Sequence, residues 1–445
     1  MKNIESLIVK NKMILPGETV GVAVSGGSDS MCLLHLLNVL KDKLNFEVVA
    51  INVDHNLREN SANDSAFVKN YCEKQGIRLY AYSIDVNKIC EDKHLTIEQG
   101  AREARYKTFK KLLDKGIVNK IALGHHMQDQ TETILLNIFR GTGLSGACGM
   151  ELIRDGVYIR PMLKTSKAEI KAYLTYNEIP FVEDETNLQN DYARNYIRNM
   201  IMPMIRTKWS NADSTIAKFG EICREDNDYI FEQIDDRAIL FEREGVVKIA
   251  TSYFTKSNSI VFRLILKALK VINASTNVDR KHLKMIKDMT LESENGTKIS
   301  LPNGVSVIKE YNFITFTNKK IKPKQRVWKM AKGVYDIPNI GVLEIVQTRK
   351  LNIEEYHNIV DAKKLPKNGV WRFKKDGDTF TKFGGGTKSL NEFLIDKKVP
   401  QRLRNFIPVF AVDDEILIVA GLEISKKVKV DEDTKTAYGI NLVKF

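Results

Sequence analysis

The residues that point most directly to chemistry form a glycine-rich loop near the N-terminus, Ser25-Gly26-Gly27-Ser28-Asp29-Ser30. The loop follows a valine-rich apolar run and precedes an apolar stretch, Met31 to Leu40, that predicts a buried helix. Strand, glycine turn and helix together make a phosphate cradle, because glycines let the backbone approach an anion and the N–H groups at the helix start point at it. The serines and glycines of this loop are therefore predicted to bind phosphates.

Asp29 does not fit simple anion binding, because a carboxylate repels phosphate unless a cation lies between them. Hard cations take oxygen ligands and bridge substrate phosphates, so we interpret Asp29 as a Mg²⁺ ligand. The alternative is an ordinary strand-to-helix turn in which serine and aspartate are helix caps. A Walker loop is excluded, because Ser28 stands where that pattern needs a lysine.

The elements that must position this loop alternate along the chain from Glu18 to about Pro203, as short apolar strands and amphipathic helices. This alternation predicts an α/β fold with a doubly wound, mostly parallel sheet. Ligands of such sheets bind beyond the carboxyl ends of the strands. The predicted strands are 20–25, 48–54, 79–84, 121–125 and 158–160, and the predicted helices are about 30–43, 61–75, 97–115, 128–140 and 166–177.

Polar side chains follow further strands of the predicted sheet. The second strand ends in Asp54-His55, and the fourth ends in His125-His126, followed by Asp129 and Glu132. A single aspartate at a strand end is usually a helix cap. Three polar strand ends in one region of one sheet instead favour a ligand site.

A second group of charged residues lies on the predicted helix 97–115. Glu98, Arg102 and Arg105 are spaced i, i+4 and i+7, so they share one face. One interpretation is a solvated ladder of ion pairs. The small residues Gly100 and Ala101 favour another, in which the helix approaches other backbone closely and the arginines meet an anionic or planar group.

The length of 445 residues predicts two or three domains. We place them at 1–208, 209–322 and 323–445. The second is predicted to be mainly helical, and the small third domain is predicted to be β-rich and to offer Lys397, Lys398, Arg402 and Arg404 to a phosphodiester backbone. The predicted elements of the second are helices 210–244, 259–273 and 279–290 and a hairpin 297–317.

Charge and cysteine usage narrow the class of protein. Lysine and arginine total 69 against 56 acidic residues, a net charge of +13 that favours nucleic acid as a partner. The five scattered cysteines lack a C-x-x-C pair, which argues against structural zinc, disulfides and persulfide chemistry. No apolar run approaches the ~18 residues of a membrane span, and no signal-peptide core is evident, so we expect a cytoplasmic protein without a membrane partner.

Several strings of this sequence resemble the tRNA(Ile)-lysidine synthases, a family of the N-type, PP-loop ATP pyrophosphatases. One departure is Gln128, which stands where the family often has the first of two adjacent aspartates, so Asp129 would have to serve as the metal ligand there. The strings are S-G-G-x-D-S at Ser25–Ser30, Val53-Asp54-His55-x-Leu57-Arg58, Glu98–Tyr106, His126-x-x-Asp129-Gln130-x-Glu132-Thr133, Arg140-Gly141, Asp184 to Arg198, Asp376-Gly377-Asp378 and Phe393-x-x-Asp396-Lys397-Lys398-x-Pro400.

The resemblance implies ATP-dependent attachment of free L-lysine to C2 of the wobble cytidine of an isoleucine tRNA with a CAU anticodon. The cytidine would first be adenylated, and lysidine, AMP and pyrophosphate would be the products. The implied partners are this tRNA, ATP, Mg²⁺ and lysine. A homodimer is one option, and the sequence does not decide the oligomeric state.

The resemblance also suggests a role for each candidate residue. Asp29 and Asp129 would hold Mg²⁺, and Glu132 would bind the lysine ammonium and take its proton. Arg102 and Arg105 would stabilise the phosphate or the flipped base, and His126 would complete the catalytic set. The predicted ATP-binding residues are Ser25, Gly26, Gly27, Ser28, Asp29, Ser30, Asp54, His55 and Arg105.

Three other functions stay open from the sequence. A related ATP pyrophosphatase could thiolate tRNA, although such enzymes typically carry paired cysteines. A small-molecule amidating synthetase needs an ammonia source, and no glutaminase-like segment is evident. A non-catalytic tRNA-binding module would need no carboxylates at the strand ends.

Overall fold

The computed structural model describes residues 2–55, 61–182, 193–243, 245–318, 326–349 and 353–444. The chain divides into two compact units, Met1–Tyr229 and Ile230–Phe445. This division into two units does not test the three domains predicted at 1–208, 209–322 and 323–445, which stay a prediction. No helix in the described ranges is long and apolar enough to cross a membrane.

The first unit contains the predicted sheet, with strand order β3-β2-β1-β4-β6-β5. All neighbouring strands are parallel except β5 and β6. β1 lies between β2 and β4, so the strand order reverses beside β1 and leaves a crevice beyond the carboxyl ends there. The strands are β1 Thr19–Ala23, β2 Glu47–Asp54, β3 Arg78–Ser83, β4 Lys120–Ala122, β5 Ile153–Arg154 and β6 Tyr158–Ile159.

Helices cover both faces of this sheet, because successive strand residues point to opposite sides. On β2, Ala50 packs into one buried cluster with Met31 and Leu33, whereas Ile51 packs into another with Phe109. The predicted doubly wound α/β fold is therefore confirmed. The helices are α1 Lys2–Lys10, α2 Ser28–Leu44, α3 Ser61–Lys74, α4 Val86–Lys93, α5 Ile97–Asp114, α6 Met127–Phe139, α7 Leu144–Ala147, α8 Lys167–Tyr176, α9 Ala193–Tyr196, α10 Met202–Lys208 and α11 Ala212–Glu232, with a π-helix at Ile197–Ile201.

The second unit begins with helices packed on an antiparallel sheet of order β7-β8-β11-β10-β9. The predicted helix 210–244 was wrong at its C-terminal end, since α11 stops at Glu232 and a hairpin follows. Short apolar segments fit helical and strand periods almost equally, which explains the error. The elements are β7 Ile239–Arg243, β8 Val246–Ala250, α12 Asn258–Val271, α13 Arg280–Glu292, β9 Lys298–Ser300, β10 Ser306–Glu310 and β11 Phe313–Thr317.

The C-terminal part of this unit is β-rich, as predicted, with sheets of order β12-β16-β19-β20-β17-β18 and β13-β14-β22-β15. Trp371, Phe393 and Phe410 fill its core. Its elements are β12 Val327–Lys329, β13 Gly333–Ile337, β14 Gly341–Thr348, β15 Asn358–Asp361, β16 Val370–Phe373, β17 Thr379–Thr381, β18 Thr387–Ser389, α14 Leu390–Asp396, α15 Gln401–Arg404, β19 Pro408–Val412, β20 Glu415–Val419, β21 Glu423–Ile424 and β22 Ala437–Lys444.

A buried ion cluster joins the two parts of the second unit. The Arg402 guanidinium on α15 donates to Glu242 on β7, with Nη2 and Oε2 2.6 Å apart. Its Nε lies 3.0 Å from Oε1 of Glu310 on β10. Arg402 is therefore not a free surface cation, and the sequence-based interpretation of it as an RNA contact is corrected.

Candidate active site

The glycine-rich loop connects β1 to α2 as the sequence predicts. Gly26 has a φ of +88°, a conformation that side chains rarely adopt. The Ser30 hydroxyl accepts from the Ser25 N–H at 3.2 Å and donates to the Gly27 carbonyl at 2.9 Å, which closes the turn. Gly27 is the N-cap of α2 and has no side chain to cap the helix, so the first N–H groups of α2 are left to bind an anion.

The end of β4 approaches this loop closely at Gly124. A β-carbon at Gly124 would lie 3.3 Å from the carbonyl oxygen of Asp29, so a side chain here would press on the start of α2. The adjoining cavity of about 270 Å³ brings together sequence-predicted residues from three strand ends over an apolar floor. Its polar lining consists of Ser25, Asp29, Ser30, His55, Arg105 and His125.

Two histidines of this cavity are held in the neutral form. Burial lowers the pKa of His55 and of His125 to about 4. The Nδ1 atom of each is buried and has no hydrogen-bond partner among the described residues. Arg105 Nη2 lies 3.4 Å from Nε2 of His55, so Nε2 is the acceptor and Nδ1 carries the hydrogen. Such unsatisfied polar atoms beside the loop fit a site that receives a polar ligand.

A residue missed by the sequence analysis, Lys167, reaches the loop from the first position of α8. Its Nζ lies 2.5 Å from Oδ1 of Asp29 and 2.8 Å from Oγ of Ser28. The Gln128 side chain accepts from the Lys167 backbone N–H at 3.0 Å. The position at which this chain departs from the family pattern therefore helps to position a cation beside the loop.

His126 lies between the two carboxylates that were predicted to hold metal. As the N-cap of α6, it accepts a hydrogen bond at Nδ1 from the Gln128 N–H at 3.2 Å. Its Nε2 is 3.5 Å from Oδ2 of Asp129 and 3.7 Å from Oδ2 of Asp29. The accepting Nδ1 leaves the hydrogen of the neutral ring on Nε2, which faces both carboxylates.

Beneath His126, two arginines converge on two carboxylates of α6. Arg194 donates to Oδ1 of Asp129 at 3.0 Å and to Oε2 of Glu132 at 2.9 Å. Arg198 donates from Nη2 to Oδ1 of Asp129 at 3.0 Å and from Nε to Oε1 of Glu132 at 2.6 Å. Burial would raise the pKa of Asp129, but His126 and Arg194 outweigh it and keep the pKa below its usual range.

The geometry does not support Glu132 as the group that meets the lysine amine. Its side chain is only 1% exposed, and both oxygens accept from arginines. A substrate ammonium would have to displace a guanidinium to reach it. We reassign Glu132 as a positioning residue for Arg194 and Arg198, two arginines of the family-like string Asp184 to Arg198 to which the sequence analysis gave no role.

The remaining predicted residues divide between the cavity and its surroundings. Arg105 lines the cavity, whereas Arg102 places its guanidinium carbon 4.8 Å above the ring of Tyr106 on the same helix. Asp54 ends β2, next to His55. The side chain of Glu98 and the stretches 56–60 and 183–192, which carry parts of the family-like strings, lie outside the described residues.

The donor set fits a magnesium ion that is held jointly with phosphates. No group of three or more His, Cys, Asp or Glu side chains in the described ranges could hold a metal by itself. Asp29, partly exposed on the cavity wall, can supply one hard oxygen ligand, as Mg²⁺ sites on nucleotides require. Asp129 already accepts at Oδ1 from two arginines and at Oδ2 from the backbone N–H of His126. Its role as a metal ligand therefore stays a prediction.

The comparisons with known proteins agree with this architecture. A PP-loop domain family model matches residues 2–205, and a model described as the TilS substrate C-terminal domain matches residues 370–440. The tRNA(Ile)-lysidine synthase of Clostridioides difficile is 33% identical, covering 99% of this chain and 98% of the relative. That of Clostridium acetobutylicum is 34% identical and covers 99% of both chains. The chain therefore belongs to the tRNA(Ile)-lysidine synthase family, whose members are ligases that form a carbon–nitrogen bond.

Proposed function

We propose that this protein joins free L-lysine to C2 of the wobble cytidine of a CAU-anticodon isoleucine tRNA, using ATP. The observation that carries the proposal is the likeness to tRNA(Ile)-lysidine synthases over nearly the whole chain, from the glycine-rich loop to the C-terminal β-rich part. The cavity beside the loop with its neutral histidines, and the Lys167 ammonium on the loop itself, support ATP as the co-substrate.

The reaction needs activation, because the C2 carbonyl of cytidine has no leaving group. Its oxygen attacks the α-phosphorus of ATP, the bond to the bridging oxygen breaks, and pyrophosphate leaves. The lysine amine then forms a bond to C2, and the C2–O bond breaks to release AMP. Reaching C2 requires the base to leave the anticodon stack, at a cost of about a few kcal/mol that is smaller in a loop than in a duplex.

The loop residues bind and orient the triphosphate. The backbone N–H groups of Gly27 to Asp29 at the start of α2, with the hydroxyls of Ser25 and Ser28, hold the pyrophosphate end. Asp29 would hold Mg²⁺, which supplies neutralisation of the charge that develops on pyrophosphate. Arg105 and His55, on the cavity wall, orient the remaining part of the nucleotide.

The arginine pair stabilises negative charge near the reacting phosphate. Arg194 and Arg198 are 34% and 32% exposed, so each guanidinium keeps a solvent-facing part after pairing with Glu132. Rigidly held donors of this kind stabilise a transition state without reorganising. Glu132 fixes their direction through the bonds described above.

The incoming amine arrives as an ammonium, since its unperturbed pKa is ~10.4. Of the two carboxylates on α6, Asp129 is the more exposed, at 13% against 1% for Glu132. Both arginines contact its Oδ1, so the ammonium approaches Oδ2, which accepts from the backbone N–H of His126. His126 lies between Asp29 and Asp129, and its Nε2–H faces both carboxylates and reduces the repulsion between them.

The cysteines argue against thiolation as the reaction. Burial raises the pKa of Cys32 to about 12 and that of Cys72 to about 11, and it also raises the pKa of Cys148 and Cys223. A thiolate is the form that carries sulfur chemistry, so these four thiols are poor nucleophiles. We therefore retain ligation as the reaction.

We also propose a cytoplasmic location and a tRNA partner. A homodimer stays a prediction.

Mass spectrometry tests the proposal. An unmodified CAU-anticodon isoleucine tRNA is incubated with the protein, ATP and lysine, and its nucleosides are then analysed. The expected product is a wobble cytidine heavier by one lysine minus one water. Omission of lysine is the control and should leave unmodified cytidine after work-up. An unmodified wobble nucleoside in the complete reaction would contradict the proposal.

A further inference from the structure

The phosphate loop of this chain lacks a lysine of its own, yet a lysine from elsewhere occupies it. Ser28 follows the glycines, and Lys167, 139 residues later, places Nζ 2.8 Å from the Ser28 hydroxyl. Nζ also lies 2.5 Å from Oδ1 of Asp29. The cation therefore stands at the start of α2, where the backbone N–H groups face the ligand.

The backbone of Lys167 is firmly anchored, whereas its side chain has room to move. Its backbone N–H donates to the Gln128 side chain, and Ser166 and Glu169, on either side of it, form a reciprocal capping box. Further along α8, Tyr173 Oη lies 3.0 Å from Nδ1 of His35 on α2, so the two helices are held together. The Lys167 side chain is 33% exposed, which leaves its four-carbon stem free to swing.

The present contacts of Lys167 cannot all persist when a magnesium–nucleotide complex binds. Lys167 contacts Oδ1 of Asp29, and Asp29 is the carboxylate that would coordinate the metal. Two cations competing for one carboxylate repel each other, whereas a phosphate beside Ser28 offers the ammonium a new anionic partner. A swing of the side chain about its anchored backbone satisfies both requirements.

We propose that Lys167 is a phosphate-binding residue that exchanges partners: it pairs with Asp29 in the empty site and with the pyrophosphate oxygens of ATP when Asp29 turns to Mg²⁺. The lysine that other phosphate loops carry within the loop is thus supplied by α8. In the empty site Lys167 neutralises Asp29, and in the loaded site it stabilises the charge on the departing pyrophosphate. This inference rests on the proposed use of ATP at this loop.

Equilibrium binding of α,β-methylene-ATP, measured by calorimetry with and without Mg²⁺, tests the exchange. With Mg²⁺, Lys167→Met should weaken binding about ten- to a hundredfold, the range for losing a charge-assisted hydrogen bond. Without Mg²⁺ the loss should be smaller, because Asp29 then retains the Lys167 ammonium of the unchanged protein. Lys167→Arg should restore most of the affinity. Adenosine, which has no phosphates, should bind Lys167→Met as well as it binds the unchanged protein.

Lys171→Met is the matched control, because Lys171 is exposed on the same helix one turn later. It should bind the analogue with unchanged affinity. If Lys167→Met is unstable, Lys167→Gln, which keeps a polar head, decides in the same way. Unchanged analogue affinity in a folded Lys167 variant, or an equal loss of adenosine binding, would overturn the proposal.

The two proposals fail separately. If lysidine is formed but Lys167→Met binds the analogue normally, the exchange is wrong and the ligase activity stands. If the analogue binds with the expected dependence on Lys167 but no lysidine appears, the nucleotide site stands and the tRNA reaction is wrong.

Discussion

Replacing Glu132 with glutamine distinguishes two roles for this residue. The structure assigns it to positioning Arg194 and Arg198, whereas the sequence suggested that it binds the lysine ammonium. Removing one partner of a fully buried ion pair costs about 3–5 kcal/mol. Arg194 and Arg198 are about one third exposed, so water offsets part of that loss, and glutamine keeps one accepting oxygen. We therefore expect Glu132→Gln to lower the free energy of unfolding by about 2 kcal/mol.

The stability effect is measured by calorimetry on the full chain. For the unit Met1–Tyr229, a loss of about 2 kcal/mol lowers Tm by about 4–8 °C. The transition of this unit is recognised because α,β-methylene-ATP should shift it upward. Glu221→Gln is the matched control, since Glu221 forms a surface ion pair with Lys164 that should be worth less than about 1 kcal/mol.

Activity gives the second half of this test. Pyrophosphate release with tRNA but without lysine reports the adenylation step alone. Glu132→Gln should slow this release about a hundredfold, because Arg194 and Arg198 lose the carboxylate that directs them. If the variant keeps the Tm and the pyrophosphate release of the unchanged protein and loses only lysine transfer, Glu132 is the amine-binding group after all, and the reassignment is refuted.

Three further predictions concern other parts of the chain. Replacing Lys397 and Lys398 with methionine should weaken tRNA binding and reduce the slope of log binding constant against log salt concentration by about 1–2, as measured by titrations at several salt concentrations. An unchanged slope would show that neither lysine contacts the RNA. Arg402→Met should destabilise the second unit by about 3 kcal/mol in urea unfolding, because the buried Glu310 loses its guanidinium partner, although Glu242 retains Lys248. A loss below about 1 kcal/mol would contradict this. Burial lowers the pKa of His55 and His125 to about 4, so between about pH 6.5 and 4 the unfolded chain binds protons that the folded chain does not. The free energy of unfolding should therefore fall as the pH falls from about 6.5 to 4. His125→Gln should flatten that pH dependence, and an equally steep decline would argue against the buried neutral ring.

The sheet and the loop were predictable because their signals are local. Alternating apolar strands and capped helices identify each element within about 20 residues, and the helix predicted at 97–115 matches α5, Ile97–Asp114. The glycines of the Ser25–Ser30 loop are also a local signal, because they predict a turn, and Gly26 has the positive φ that favours glycine. Periodicity alone could not separate the end of α11 from the hairpin that follows it.

The contacts that decide the roles within the site were not predictable, because they join distant positions. Asp29 and Lys167 are 138 residues apart in sequence, and Glu132 and Arg198 are 66 apart. A glutamate beside an aspartate on a helix gives no sign of whether it faces substrate or a buried arginine. Only the fold shows that Glu132 is covered.

The Arg402 cluster has a consequence for how the second unit can be divided. A fragment that stops before residue 326 would retain Glu242 and Glu310 but lack the guanidinium that lies against both. Glu242 would still pair with Lys248, whereas the buried Glu310 would lose the Arg402 guanidinium and would take up a proton or draw in water. A fragment cut at the predicted boundary between residues 322 and 323 should therefore fold best in mild acid.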